Sequence, residues 1–170
     1  MITLHGNLEL NSAMTKILGL DPGLNTTGYG LITSLNGDVK LVEAGVIKTN
    51  SCLAFEIRLQ ELHRGICEIL SDHCPDLVAI EKLYSHRERV TTAILLGHAR
   101  GVIFLAVAQA GLSISAYEPT KVKKTLTGNG HASKAQVQKA VSLQLGLKTL
   151  PQPYDVSDAL AIALCDFYRL

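Results

Sequence analysis

Lys16-Ile17-Leu18-Gly19-Leu20-Asp21-Pro22-Gly23 is the stretch from which the rest of the chain is read. Ile17, Leu18 and Leu20 make a short apolar run that reads as a buried strand, and it runs straight into a carboxylate followed by Pro-Gly, a strong turn signal. Pro22 holds φ near one value and Gly23 permits a bend that other residues resist. A strand ending in this way holds Asp21 at the sheet edge on a stiff platform. Such a position suits a catalytic carboxylate, and it equally suits an Asp that only caps a turn.

Composition narrows the field. At 170 residues, with 47% apolar and 18% charged residues, the chain reads as one globular domain with a full core. Its net charge of +1 gives no global field toward a polyanion, so any nucleic-acid surface has to come from segregated charge. The four cysteines, Cys52, Cys67, Cys74 and Cys165, form no Cys-x-x-Cys pair and no secretory signal precedes them. That pattern predicts a reduced, cytoplasmic protein. No apolar run reaches the roughly 18 residues of a bilayer span, so no membrane partner is expected. Residues 1–13 read as a leader, an alternative start or an expression remnant, expected to be disordered or loosely packed, ahead of a single domain over residues 14–170.

Along the chain, Asn36-Gly37 marks a hairpin between strands over about Tyr29–Leu35 and Val39–Thr49, giving an antiparallel meander of three strands. Phe55, Leu59, Leu62, Ile66, Ile69 and Leu70 recur at helical spacing. Leu77–Ile80 is a continuous apolar strand that ends at Glu81. A long helix over 88–110 carries a small-residue patch at Gly97, Ala99 and Gly101. A short strand at Ile114–Tyr117, a short helix over Pro119–Leu126, a helix capped by Ser133 and stopped by Gly146, and a last helix over about Asp155–Tyr168 complete the order. The pattern predicts an α/β fold, a mixed sheet covered by helices on both faces.

Four carboxylates then stand out. Asp21 and Glu81 both end apolar strands, and Asp155 and Asp158 share one face of the last helix, where Ala159, Ala161 and Ala163 suit close packing on a sheet. Each has an ordinary reading as well, a solvated strand end or acids that favour a helix N-terminus. Four converging carboxylates would repel one another and raise their pKa values, which a fold tolerates when cations sit among them. Hard oxygen donors without a His or Cys pattern favour Mg²⁺ or Mn²⁺ over Zn²⁺. Two such ions about 4 Å apart can assist phosphodiester hydrolysis. From Pro119 to Lys148 there are six lysines (Lys121, Lys123, Lys124, Lys134, Lys139 and Lys148) and no Asp or Glu, around a Gly-rich loop. This one-sided segment suits phosphate binding.

Taken in series, Gly19-Leu20-Asp21-Pro22-Gly23 with Thr27-Gly28-Tyr29-Gly30, Ile80-Glu81-Lys82-Leu83-Tyr84, Gly97-His98-Ala99-Arg100-Gly101, Val122-Lys123-Lys124 with Gly128-Asn129-Gly130, and Asp155-Val156-Ser157-Asp158-Ala159-Leu160-Ala161 resemble the RuvC family of bacterial Holliday-junction resolvases from about Lys16 to the end. The resemblance implies a ribonuclease H-like, mixed five-stranded sheet and a homodimer with two Mg²⁺-dependent sites. Those sites would make paired, symmetric nicks in a four-way DNA junction, leaving 5′-phosphate and 3′-hydroxyl ends, in recombination and repair. It implies two Mg²⁺ per subunit, with Mn²⁺ a possible substitute, and a branch-migration complex of RuvA and RuvB as partner. Asp21, Glu81, Asp155 and Asp158 match the family's acidic tetrad as catalytic and metal-binding residues. Tyr84 matches an aromatic that stacks on junction bases, and Lys123 and Lys134 match basic positions near the scissile phosphate. Lys121 and Lys124 join them as DNA-binding residues of the basic segment. Lys82 departs from the Gln found in some members, and residues before Met14 have no counterpart. Two other classes are kept in view. Asp-x-Gly also opens the phosphate loop of actin-like ATPases, which need a second such domain, and a catalytically silent junction-binding module would keep the surface without the acids.

Overall fold

The computed structural model describes residues 14–82 and 90–169. The expected leader over 1–13 and the expected stacking residue Tyr84 lie outside the described residues. Three strands open the chain: β1 (Thr15–Asp21), β2 (Thr26–Leu35) and β3 (Asp38–Lys48). Asn36 and Gly37 both take positive φ, +54° and +85°. This is the mirror-image turn whose twist matches a right-handed strand pair, and Asn-Gly forms it most readily. Helix α1 (Phe55–His73) follows, then β4 (Leu77–Glu81), α2 (Val90–Gln109), β5 (Ile114–Tyr117), α3 (Pro119–Thr127), α4 (Lys134–Gln144) and α5 (Tyr154–Phe167). Helix α4 starts at the expected Ser133, in a reciprocal capping box with Gln136. Gly146, at φ +61°, follows its end.

The described strands form one sheet in the order β3-β2-β1-β4-β5. β1 to β3 pair antiparallel, and β4 joins β1 in parallel with Leu20 opposite Ile80. The residues that follow this pair, Asp21 and Glu81, therefore end neighbouring strands side by side. Alternation along a strand assigns the faces. Leu18, Leu20, Val78 and Ile80 enter a core with Leu62, Ile66, Ala99 and Ile103 of α1 and α2. Ile17 and Ala79 enter the other core, with Val122, Val137 and Leu160 of α3, α4 and α5. Asp21 and Glu81 fall on the same alternate as Ile17 and Ala79, so their side chains belong to the α5 face.

Helix α5 lies unusually close to that face. A β-carbon on Gly19 would stand 2.1 Å from the Ala159 carbonyl oxygen and 2.6 Å from the Ala163 nitrogen. One on Gly28 would stand 2.0 Å from the Asp155 carbonyl oxygen. Val156, Ala159, Leu160, Ala161, Ile162 and Ala163 are all buried in this layer. Burying an aliphatic side chain fully is worth about 1.5–3 kcal/mol, so this helix is a principal anchor of the sheet.

The expectation that no apolar stretch is long enough for a span needs correction. Thr91–Gln109 within α2 is long and apolar enough, by length and composition, to cross a membrane, with mean hydropathy 1.6. Reading only for an uninterrupted apolar run hid this, because Thr, His98 and Arg100 punctuate the helix. Ala99, Ile103, Ala106 and Val107 bury one side of α2 in the α1 core, while Ile94, Leu95, Phe104 and Leu105 are exposed.

The spacing between α5 and the sheet makes a direct test. Gly19→Ala puts a methyl group into helix backbone, so it is expected to lower stability by about 3 kcal/mol, at or beyond the upper end for overpacking. The check is the urea midpoint in equilibrium unfolding, and an unchanged midpoint would contradict the close approach.

Candidate active site

The sheet and α5 make a cavity of about 200 Å³ at the carboxyl ends of β1 and β4. Asp21, Glu81 and Asp158 line it together with Lys123 of α3 and Lys134 of α4, and Pro119, Val122, Val137 and Ala161 supply apolar walls. Each arrives for a local reason. Asp21 and Glu81 are strand-terminal residues brought level by the β1–β4 register. Asp158 stands on the first turns of α5, which the glycines of β1 and β2 let down onto the sheet. Lys123 follows from α3, where Pro119 occupies the first turn and Val122 and Leu126 are buried. Lys134 is the first residue after the Ser133 cap.

The electrostatics follow from this crowding. Asp21 still meets solvent over part of its surface but is packed among protein atoms on most sides. Its burial, then the charges of Asp158, Glu81 and Asp155, push its pKa from 3.8 up to about 8, against the opposing pull of Lys134. Glu81 is raised as well, by burial first and then by Asp158, while Lys123, Lys134 and Arg100 pull it down. Lys134 donates to Asp158 Oδ2 at 3.0 Å, and this bond raises the lysine's own pKa. With the Lys134 side chain 65% exposed, the pair is of the surface kind that contributes little to stability. Its consequence is local: an ammonium group supplies the positive charge that Asp158 faces.

Of the four carboxylates expected from the sequence, three line one cavity. Asp155 is partly buried and borders a neighbouring groove with Gly23, Asn25, Thr26 and Arg58, although its charge still acts on Asp21. Lys123 and Lys134 reach the cavity, and Lys121 and Lys124 are exposed elsewhere on α3. Tyr84 lies outside the described residues. Among the described residues no three His, Cys, Asp or Glu side chains already stand at metal-binding distances, and Asp158 is turned to Lys134. The donor set nonetheless fits a hard divalent cation: carboxylate oxygens only, with two members carrying raised pKa values that added positive charge would lower. Reading the sequence missed Arg100, whose guanidinium donates to the Glu81 carbonyl oxygen from α2. Its place inside Gly97-His98-Ala99-Arg100-Gly101 was the signal available.

Acids level at the ends of two parallel strands, a third on a helix pressed to the sheet and lysines facing them define a nuclease of the ribonuclease H-like class. A family model described as "Crossover junction endodeoxyribonuclease RuvC" matches residues 17–166. The chain belongs to that family, and it is a crossover junction endodeoxyribonuclease, a divalent-metal-dependent hydrolase. It is 54% identical to a RuvC of Rhodopirellula baltica over 152 residues, covering 89% of this chain and 85% of the relative. It is 48% identical to one of Caldicellulosiruptor saccharolyticus over 151 residues, covering 88% and 90%. A solved Thermus thermophilus RuvC in complex with Holliday junction substrate is 35% identical, with a TM-score of 0.85 over 91% of this chain and 94% of that one.

The raised Asp21 pKa sets a pH dependence. Its folded value lies above the unfolded 3.8, so the folded state holds the extra proton between about pH 4 and 8 and loses stability as pH rises through that window. In EDTA, the melting temperature is expected to fall from pH 5 to pH 8. Asp21→Asn is expected to flatten this slope and to melt higher than wild type at pH 8. Equal slopes in the two proteins would rule out Asp21 as the source.

Proposed function

We propose that this chain resolves four-way DNA junctions by paired phosphodiester hydrolysis, with Asp21, Glu81, Asp155 and Asp158 as catalytic and metal-binding residues of each subunit. The observation that carries the reading is the cavity in which Asp21, Glu81 and Asp158 face Lys123 and Lys134. Two Mg²⁺ ions bound among these carboxylates would activate water and offset charge on the leaving oxygen, with Mn²⁺ able to substitute. The protein's own part is positional. Asp21 and Glu81 present oxygens from a rigid strand edge, and α5 brings Asp158 opposite them with Asp155 one turn before. Lys123 and Lys134 neutralise the phosphate entering the cavity. Lys134 is held at Asp158, so an arriving cation and an arriving phosphate would share between them the two partners of that ion pair. Lys121, Lys124 and Tyr84 extend the DNA contact.

A homodimer suits a substrate with two-fold symmetry, because it presents two sites related by the same axis. Helix α2 supports this with exposed Ile94, Leu95, Phe104 and Leu105, and with Gly97 and Gly101, beside whose backbone there is open space. The wider reading places residues 14–170 as one nuclease domain acting in the cytoplasm beside a RuvA–RuvB branch-migration complex. The four-way junction bound by the Thermus relative is the substrate class assigned here.

Cleavage of a synthetic immobile junction beside a linear duplex of the same sequences tests the activity. Nicks are expected in opposite strands of the junction only, abolished by EDTA. Asp21→Asn is expected to bind the junction and leave it uncut; retained Mg²⁺-dependent cutting by that variant would overturn the assignment. In sedimentation at micromolar concentration a dimer is expected, with Leu105→Glu shifting it to monomer.

A further inference from the structure

The Glu81 carbonyl stands at a break in the sheet. The Lys82 N–H donates to the Tyr117 carbonyl on β5. Peptide groups alternate sides along a strand, so those of Glu81 turn the other way, toward β1. The register of Leu20 with Ile80 sets which β1 residue would donate to the Glu81 oxygen. That residue is Pro22, which has no N–H. The β1–β4 ladder therefore ends one donor short, at the residue whose side chain faces the cavity.

Arg100 fills this gap. Its guanidinium Nη1 donates to the Glu81 carbonyl oxygen, reaching it from α2, on the face opposite α3, α4 and α5. The same guanidinium lies over the Phe104 ring, 4.8 Å from its centroid, one turn further along the helix. The arginine is half-buried, and burial works against its charge while Glu81 favours it. A partly desolvated cation is thus engaged with a neutral carbonyl at the strand end. Such a charge-assisted bond is stronger than the backbone bond it replaces.

We infer that Arg100 is a positioning residue: it stands in for the donor that Pro22 lacks and fixes the peptide plane from which Glu81 presents its carboxylate to metal. The inference rests on the reading of Glu81 as a metal ligand. It also explains why Pro can follow Asp21 without loosening β4. Pro22 stiffens one carboxylate at the expense of the neighbouring strand's last hydrogen bond, and α2 supplies the replacement.

The sign of one measurement separates this role from a simple charge effect. Removing a nearby cation should tighten Mn²⁺ binding if Arg100 acts only through its charge, and weaken it if Arg100 holds Glu81 in place. Mn²⁺ titration calorimetry on the full chain, wild type against Arg100→Met, is expected to show binding weakened about tenfold or more, the range for losing a group that orients a metal ligand. The turnover number on the junction should fall in parallel, with KM within about twofold. Arg100→Lys, which keeps charge and donor, should recover most of the affinity. Arg100→Gln, polar but too short to reach, is read in the same way if Arg100→Met does not fold. Unchanged or tighter Mn²⁺ binding in the Met or Gln variant would overturn the inference. Glu81→Gln is the control, because if it leaves Mn²⁺ affinity intact, the metal-site reading itself fails.

Discussion

Between α5 and the sheet there is room for a hydrogen atom but not for a methyl group. At Gly19 and Gly28 the helix backbone occupies the space a side chain would take, and the arrangement of acids depends on that contact. A strand with an ordinary residue at Gly19 would hold the helix farther away, and Asp158 would withdraw from Asp21 and Glu81. The small residues on the helix, Ala159 and Ala163, complete the approach from the other side. Close packing of this kind transmits small displacements directly, because interiors are dense and have few voids to absorb a shift. The precision of the site is thus a property of a helix–sheet contact that at Gly19 and Gly28 is formed mostly by backbone.

That precision is held against electrostatic cost. The fold presses like charges together and partly removes them from water, and Asp21 shows the result in a pKa near 8. A purely structural arrangement would gain nothing from this, since strain of this sort persists only where the surrounding structure is strong enough to enforce it. Here the enforcement comes from two apolar cores on opposite faces of one sheet. Lys134 relieves part of the repulsion through Asp158, yet an exposed lysine on a flexible stem is easily displaced. The site is built to accept positive charge more than to neutralise itself.

Helix α2 has two environments. One side is core; the other leaves Ile94, Leu95, Phe104 and Leu105 at the surface. Arg100 lies between them, bonded to the end of β4 and stacked on Phe104. A single side chain thus connects an exposed apolar surface to the strand that carries Glu81. The connection runs through main-chain hydrogen bonding at the sheet's edge, where Pro22 removes the usual donor.

Much of the element order could be read along the chain. Asn36-Gly37 specifies its turn by local backbone preference, Ser133 with Gln136 specifies a cap, and the apolar run before Glu81 specifies a strand. All of these depend on residues close in sequence. The candidate carboxylates were legible for the same reason, because Asp21 and Glu81 end strands and Asp155 and Asp158 begin a helix whose period is visible, and the order of motifs identified the family. Four things were not legible. The small-residue patch at Gly97–Gly101 stands out in the sequence while the glycines that matter for the site, Gly19 and Gly28, read as strand residues, because what crowds them lies more than a hundred residues away. Asp155 and Asp158 share a helix face, but which of them enters the cavity depends on how α5 is rotated against the sheet. The resemblance set Lys123 apart from Lys121 and Lys124, but only the packing of α3 shows that, of the three, Lys123 lines the cavity. Arg100 was one basic residue in an apolar helix until β4 ended beside it. The sequence by itself determined the elements, their chemistry and their kinship, since these follow from local propensity and the order of residues. Only the tertiary structure decided which acids and cations meet, because that depends on strand register and on how closely one helix can approach one sheet.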